Sequence, residues 1–290
     1  MRKAIMRNIL WLLLLLLPAA VDAKEITVAT SFYPVYIMAL NVAQGVPGVR
    51  VVNVTPMAAG CLHDYSLTAG DMKRLAQADI FFTNGAGMES FIETVARQFK
   101  ELRIIPLSEG VSLIRNADGT DNPHVWLDIG NAIKQVRNLS NAMVLFDPGN
   151  ARIYERNTEG YVRKLSALAD RMHGQLAPYS GKKIVTFHEA FPYFAREFNF
   201  DIAAVIEREP GAAPSAKELA ETIGLIKEAG IKALFAEPQY PAAAAETIAR
   251  QTGAKMFTLD PAVTGPDSMD AYETIMRGNL ASIMNAFKQE

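Results

Sequence analysis

The sequence predicts an α/β fold of two Rossmann-like lobes, each built on a parallel sheet, bridged by one long rigid helix. Three observations predict it. Short β-rich runs alternate with helical stretches from Ile26 to Leu107, the pattern that builds a parallel sheet covered by helices. The same alternation resumes at Ile184 and runs to Leu259. Between the two, residues 150–177 lack proline and place Tyr154, Tyr161, Leu165, Leu168, Met172 and Leu176 in one helical stripe. At 1.5 Å per residue that stretch reaches about 42 Å, long enough to brace two lobes.

Each element has its own justification. Ile26–Thr30 and Val49–Val54 are β-branched runs and read as strands, with Val35–Gln44 between them as a helix closed by Gly45. Thr68 caps the next helix and Asp71 stands three residues on, where a capping box places an acid. Asp79–Thr83 is a strand ended by Asn84-Gly85-Ala86-Gly87, Met88–Phe99 a helix, and Arg103–Leu107 a short strand. Residues 108–122 are polar and turn-rich. Asn131–Phe146 is helical and is interrupted by Asp147-Pro148-Gly149. After Gly181, strands at Ile184–Phe187, Ile202–Ile206, Ala233–Ala236 and Lys255–Leu259 alternate with helices at Pro192–Phe198, Ala216–Ala229 and Ala242–Thr252. Met269–Lys288 closes the chain as an amphipathic helix. The expected organisation is a signal peptide at 1–23, an N-terminal lobe at 24–148, a linking helix at 149–178 and a C-terminal lobe at 179–290.

The leader reading rests on Arg2, Lys3 and Arg7 ahead of the apolar run Ile9–Leu17, with Val21-Asp22-Ala23 offering small residues to a signal peptidase. Cleavage is expected after Ala23, giving a periplasmic protein. The apolar run is short for a membrane span, and no cysteine follows it to carry a lipid anchor. Three basic residues and Asp22 leave with the leader, taking the formal charge from −2 to −4. An acidic mature chain without a basic stripe argues against nucleic acid and anionic membrane as partners. A single cysteine, Cys61, forms no internal disulfide. A monomer is expected.

The chemistry lies at the strand ends. His188 follows the strand Ile184–Phe187, and His63 and His124 stand at comparable strand-to-loop junctions. In α/β sheets these carboxyl ends border the crevice where ligands collect. Asp260 closes the strand Lys255–Leu259. Three imidazoles and one carboxylate suit a borderline divalent cation, with Zn²⁺ the natural occupant and Mn²⁺ or Fe²⁺ the alternatives. Simpler roles exist for each: a lone histidine is more often a surface or capping residue, and Asp260 before Pro261 can cap a turn. His173, between Arg171 and Gln175 on the long helix, reads as solvated. Cys61 has two readings, a thiolate joining a soft-metal site and a small packed residue, and packing is the commoner role.

Seven phrases carry a resemblance: Thr30-Ser-Phe-Tyr-Pro-Val-Tyr36, His63-Asp-Tyr-Ser-Leu-Thr68, Ala78-Asp-Ile80 leading to Asn84-Gly-Ala-Gly-Met-Glu-Ser90, Pro123-His-Val-Trp-Leu127, Phe187-His-Glu-Ala-Phe-Pro-Tyr-Phe194, Glu237-Pro-Gln-Tyr240 and Leu259-Asp-Pro261. In this order, through essentially the whole mature chain, they resemble the zinc/manganese solute-binding proteins of metal ABC importers, the zinc-uptake-like cluster A-I. The resemblance implies metal held in a cleft between the lobes and delivered to an inner-membrane ABC permease with its ATPase. By position it makes His63 and His124 the ligands of the first lobe, and His188 and Asp260 those of the second. Manganese-type members usually carry Glu where this chain has His188, which leans towards zinc. Two departures stand out. Residues 108–122 contain no histidine, so no metal-gathering loop is expected, and Leu62 replaces the proline common before the first histidine.

A zinc-dependent hydrolase is the rival reading, with Glu189 or Glu237 as base. Against it, no HExxH is present, and Pro192 stands where its second histidine would. An adhesin or metal-delivery chaperone sharing the fold is the third.

Overall fold

The computed structural model describes residues 25–206, 214–239 and 243–288. The expected signal peptide, with its cleavage site after Ala23, lies outside the described residues, as do Tyr240 and Ala242. Strands β1 (Ile26–Thr30), β2 (Val49–Asn53), β3 (Ile80–Thr83) and β4 (Arg103–Pro106) form one parallel sheet in the order β2-β1-β3-β4. Strands β5 (Lys183–Thr186), β6 (Asp201–Val205), β7 (Ala233–Ala236) and β8 (Lys255–Thr258) repeat that order as β6-β5-β7-β8. In each sheet the second strand adds on one side of the first and the third adds on the other. Loops leaving the first and third strands therefore diverge, and the crevice between them is the topological switch point where α/β folds bind ligands.

The helices are α1 (Tyr33–Val42), α2 (Ala69–Ala76), α3 (Ile92–Gln98), α4 (Ile129–Phe146), α5 (Ala151–Leu176), α6 (Pro192–Phe198), α7 (Ala216–Glu228), α8 (Ala243–Thr252) and α9 (Ala271–Lys288). Helix α1 starts two residues earlier than expected, because Pro34 falls in its first turn, where a missing N–H costs nothing. Thr68 and Asp71 form the capping box of α2 in both directions. Asp71 is fully buried and its carboxylate also accepts from the Tyr65 hydroxyl at 2.9 Å. Helix α3 is shorter than the expected Met88–Phe99. Residues 84–89 are instead held in a turn, where the buried Glu89 carboxylate accepts the N–H groups of Asn84 and Gly85 at 2.7 and 3.0 Å. Gly85 has φ +78°, and a Cβ there would meet Ser108 Oγ at 2.5 Å and Pro106 Cβ at 2.9 Å, so the turn requires glycine.

The predicted stripe on α5 is buried in full: Tyr154, Tyr161, Leu165, Leu168, Met172 and Leu176 all face the core. This helix packs against α1 and α4 from the first half and α6 and α9 from the second, and it joins the lobes as one continuous rod. His173 is half-exposed, as read from the sequence, with its ring 4.9 Å from Phe198. One continuous hydrophobic cluster runs from the first sheet through α5 and α9 to the inner side of the second sheet. A second, smaller cluster of Val185, Phe187, Leu234, Ile226, Ala245 and Ile248, among others, lies beneath α7 and α8. Among the described residues no helix is long and apolar enough to cross a membrane.

Hydrogen bonds tie the halves directly. The Tyr33 hydroxyl donates to Pro266 O at 2.9 Å, Tyr36 to Asp267 at 3.0 Å, and Asn41 Nδ2 to Met269 O at 2.8 Å. Trp126 Nε1 donates to Pro261 O at 2.7 Å, and Ile129 N donates to Glu197 Oε2 at 2.7 Å. Burial first, and then the Asp128 charge, push the Glu197 carboxyl up to about 8, with the Ile129 N–H and Arg196 pulling back. The folded state thus holds this proton more tightly than the unfolded chain. The contribution to stability is full below about 4.5 and is lost as pH rises through about 8. Glu197→Gln is expected to raise the urea midpoint over the parent at a pH above about 8 and to leave it unchanged near pH 5. Equal midpoint differences at both pH values would remove Glu197 as the source.

Candidate metal centre

Each candidate donor arrives on a loop leaving the carboxyl end of a strand. His63 lies on the loop after β2, His124 at the end of the long segment that follows β4, and His188 two residues beyond β5. The structure gathers His63, His124 and His188 together with Cys61, so that one ligand atom from each lies within 4.8 Å of all the others. His63 Nε2 is 3.4 Å from His124 Nε2, and Cys61 Sγ is 3.5 Å from the same nitrogen. The ring centroids are 5.0 Å apart for His124 and His188, and 6.5 Å for His63 and His188. His124 and His188 are buried, whereas Cys61 and His63 are partly exposed. Asp260, the fourth donor expected from the sequence, falls outside this group. Its Oδ1 accepts the Ala262 N–H at 2.8 Å. Burial and the Glu237 charge push the Asp260 carboxyl up to about 6, against that N–H, so it belongs to the same electrostatic neighbourhood.

Two buried partners orient the imidazoles. Asn122 Nδ2 donates to Glu189 O at 2.8 Å and to Asn116 Oδ1 at 3.1 Å, which turns Asn122 Oδ1 towards His124. That oxygen accepts from His124 Nδ1 at 3.1 Å and from the His124 backbone N–H at 3.1 Å. With Nδ1 protonated, Nε2 carries the lone pair and faces Cys61 and His63. Burial, and then the imidazoles of His188 and His63, hold His124 well below the usual histidine range, so it stays neutral and able to bind a cation. His188 Nδ1 donates to Glu237 Oε1 at 2.6 Å, both side chains being fully buried. Gln239 Nε2 holds the other carboxylate oxygen at 3.2 Å. A carboxylate behind a ligating histidine fixes the tautomer, leaves Nε2 for the ion and raises the basicity of the ring. His188 follows β5 and Glu237 follows β7, the two strands flanking the switch point of the second sheet.

Sequence reasoning named Glu237 as a possible base and did not name Asn122. The one signal for Asn122 is its place two residues before His124, the offset of a side chain that bonds the backbone two positions on. A cavity of about 570 Å³ opens beside His63, lined among others by Ala86, Gly87, Asp118, Asp121 and Glu189. Its acids share that cavity with His63.

The family model described as zinc-uptake complex component A, periplasmic, matches residues 28–286. The manganese-binding lipoprotein MntA of Halalkalibacterium halodurans is 24% identical, over 92% of this chain and 90% of its own length. The high-affinity zinc uptake system protein ZnuA of Bacillus subtilis is 26% identical, over 91% of this chain and 89% of its own. Among solved structures, the SBP FpvC from Pseudomonas aeruginosa in complex with Mn²⁺ superposes with a TM-score of 0.83 at 29% identity, covering 92% of this chain and 99% of that one.

Proposed function

This chain belongs to the ZnuA family of zinc-uptake components, and from that premise we propose that it captures a divalent transition metal, zinc foremost, between its two halves and delivers it to an ABC permease. The observation that carries the reading is the convergence of three imidazoles, two from the first half and one from the second, with their donor atoms within 4.8 Å. His63, His124 and His188 bind the ion, and Asp260 is the carboxylate of the set on the second half. Imidazole donors, with the Asn122 amide behind His124 and the Glu237 carboxylate behind His188, suit zinc better than the harder manganese. Iron remains a competitor that the binding experiment resolves.

The protein is a carrier and not an enzyme in this reading. Glu237, a base candidate of the hydrolase alternative, is engaged with His188, and the relatives named above are metal-binding and metal-uptake proteins. Residues 1–23 serve as the cleaved leader, the address is periplasmic, and the mature chain is a monomer divided at 24–148, 149–178 and 179–290. The permease and its ATPase are its partners. The continuous rod and the direct bonds between halves favour small lobe rotations over a wide hinge swing.

Calorimetric titration of the demetallated protein with Zn²⁺, in competition with Mn²⁺ and Fe²⁺, tests the reading. One tightly bound zinc per chain is expected, and no saturable binding of any of the three ions would overturn it. Zinc-loaded protein assayed on esters, phosphates and peptides is expected to turn over no faster than solvent. Removing the charge behind His188 supplies a further test: Glu237→Gln is expected to weaken zinc by about tenfold, the lower end of the range for such partners, because Gln still accepts from Nδ1. Unchanged affinity would show that the carboxylate does not tune the ring.

A further inference from the structure

We propose that Cys61 binds the cargo metal through its thiolate and that, in the arrangement seen here, it and the three imidazoles form a four-donor sphere. The proposal rests on the metal-carrier reading above and deepens it by naming a donor.

The distances carry it. In a tetrahedral zinc site with bonds of about 2.0–2.1 Å to nitrogen and about 2.3 Å to sulfur, neighbouring nitrogens stand about 3.4 Å apart, and nitrogen and sulfur about 3.6 Å. His63 Nε2 and His124 Nε2 are 3.4 Å apart, and Cys61 Sγ and His124 Nε2 are 3.5 Å apart. Two edges of the polyhedron are thus already at coordination length. The remaining separations, bounded by 4.8 Å, close with shifts of about an ångström, a side-chain adjustment. Asp260 is outside the group, so its carboxylate would enter the sphere only by moving inward, as an added donor or in place of the thiolate.

The local chain explains how the thiol reaches the site. Gly60, immediately before Cys61, has a left-handed φ of +74°, a backbone conformation that favours glycine. Leu62 is fully buried, and its N–H meets Met88 Sδ at 3.4 Å. Anchoring Leu62 in the core leaves its two neighbours, Cys61 and His63, beside the same histidine. When a divalent ion binds, the S–H proton passes to solvent and the metal–sulfur bond takes its place, with no oxidant or reductant required.

The chemical consequence is selectivity. A thiolate added to three imidazoles shifts preference towards zinc, cobalt and cadmium and away from manganese, whose affinity lies in oxygen donors. The discrimination assigned to His188 from the sequence is then shared by the opposite half of the site.

Cobalt reports the bond directly. Demetallated protein loaded with Co²⁺ is expected to show a sulfur-to-cobalt charge-transfer absorption in the near ultraviolet, and Cys61→Ser is expected to lose it while still binding Co²⁺. In the same variant zinc affinity is expected to fall by about 10–100-fold or more, since losing a ligand costs at least as much as losing the group behind one. Its preference for Cd²⁺ over Mn²⁺ is expected to narrow. A parent Co²⁺ complex without the sulfur band would overturn the proposal while leaving the carrier reading intact. Zinc affinity and Cd²⁺/Mn²⁺ preference unchanged in Cys61→Ser would do the same. Absence of Co²⁺ and Zn²⁺ binding by the parent would instead remove the carrier reading and this proposal with it. The parent spectrum decides the point even if the serine variant fails to fold.

Discussion

His188→Ala is expected to lower zinc affinity by more than about 100-fold, beyond the range seen when only a group behind a ligand is removed. His188 is the one imidazole that the second half contributes, so losing it leaves Asp260 as the second half's sole donor in the proposed set and weakens the coupling of the halves. The substitution also leaves the Glu237 carboxylate, fully buried, without its 2.6 Å partner and dependent on Gln239. An uncompensated buried charge is costly, so the metal-free variant should also unfold at lower urea. Competition calorimetry measures the first effect. Thermal unfolding with and without zinc measures the coupling, because a ligand that binds the native state raises stability with its concentration over Kd. The parent should show a zinc-dependent rise that His188→Ala lacks at the same zinc concentration. Full affinity in the variant would strike His188 from the ligand set.

The second large effect is structural. Trp126→Ala is expected to cost about 3–5 kcal/mol, the range for truncating a buried aromatic. The indole is fully buried and packs edge-on against Phe32 at 5.2 Å and beside the His124 ring at 5.4 Å. Its N–H donates to Pro261 O, one residue beyond Asp260, and its own carbonyl accepts from the Tyr272 hydroxyl at 2.7 Å. One residue therefore links the first half's buried histidine to the second half's acid and to α9. Trp126→Phe separates packing from the polar link. It keeps most of the ring volume and orphans Pro261 O, at a cost of about 1–3 kcal/mol. Urea denaturation of both variants measures the difference. If Trp126→Phe matched Trp126→Ala, the hydrogen bond would outweigh the cavity in holding the halves together.

Most of the fold was legible because its punctuation is local. The capping box at Thr68 and Asp71, Gly45 after α1 and Pro192 opening α6 are signals a few residues wide, and the elements begin or end at them or within two or three residues of them. The α5 stripe was legible because its period is long and unbroken. Helix α3 was overextended because the turn before it depends on Glu89 reaching back to two backbone N–H groups, which periodicity does not register. At the site, His188 was legible from its place two residues beyond β5, whereas His63 and His124 stand ten and eighteen residues beyond β2 and β4, too far for strand-end position alone to place them. The residues that orient them were not legible as such. Glu237 is 49 positions from His188, and that pairing follows from β5 and β7 being neighbours in the sheet. Strand-end position marks Asp260 as near the cleft but does not set the distance of its carboxylate from the imidazoles. For Cys61 the residue type alone favours packing, and its sulfur comes within 3.5 Å of His124 Nε2 only through the fold, across 63 positions of sequence.

The division of the apolar interior into two clusters bears on how the cargo leaves. Val185 and Leu234, on the strands that lead to His188 and Glu237, belong to the smaller cluster with Ile226 of α7 and Ile248 of α8. The larger cluster, running through α5 and α9, spans both halves. Transient detachment of the α7–α8 layer would therefore slacken the footing of His188 while the rod and the first sheet stay whole, because regions with fewer buried contacts open at lower free energy. Amide protons in α7 and α8 should exchange with deuterium sooner than those of α5, and bound zinc should slow them more than it slows the rod. Discharge would then be a local loosening at one wall of the cleft, achieved without parting the lobes.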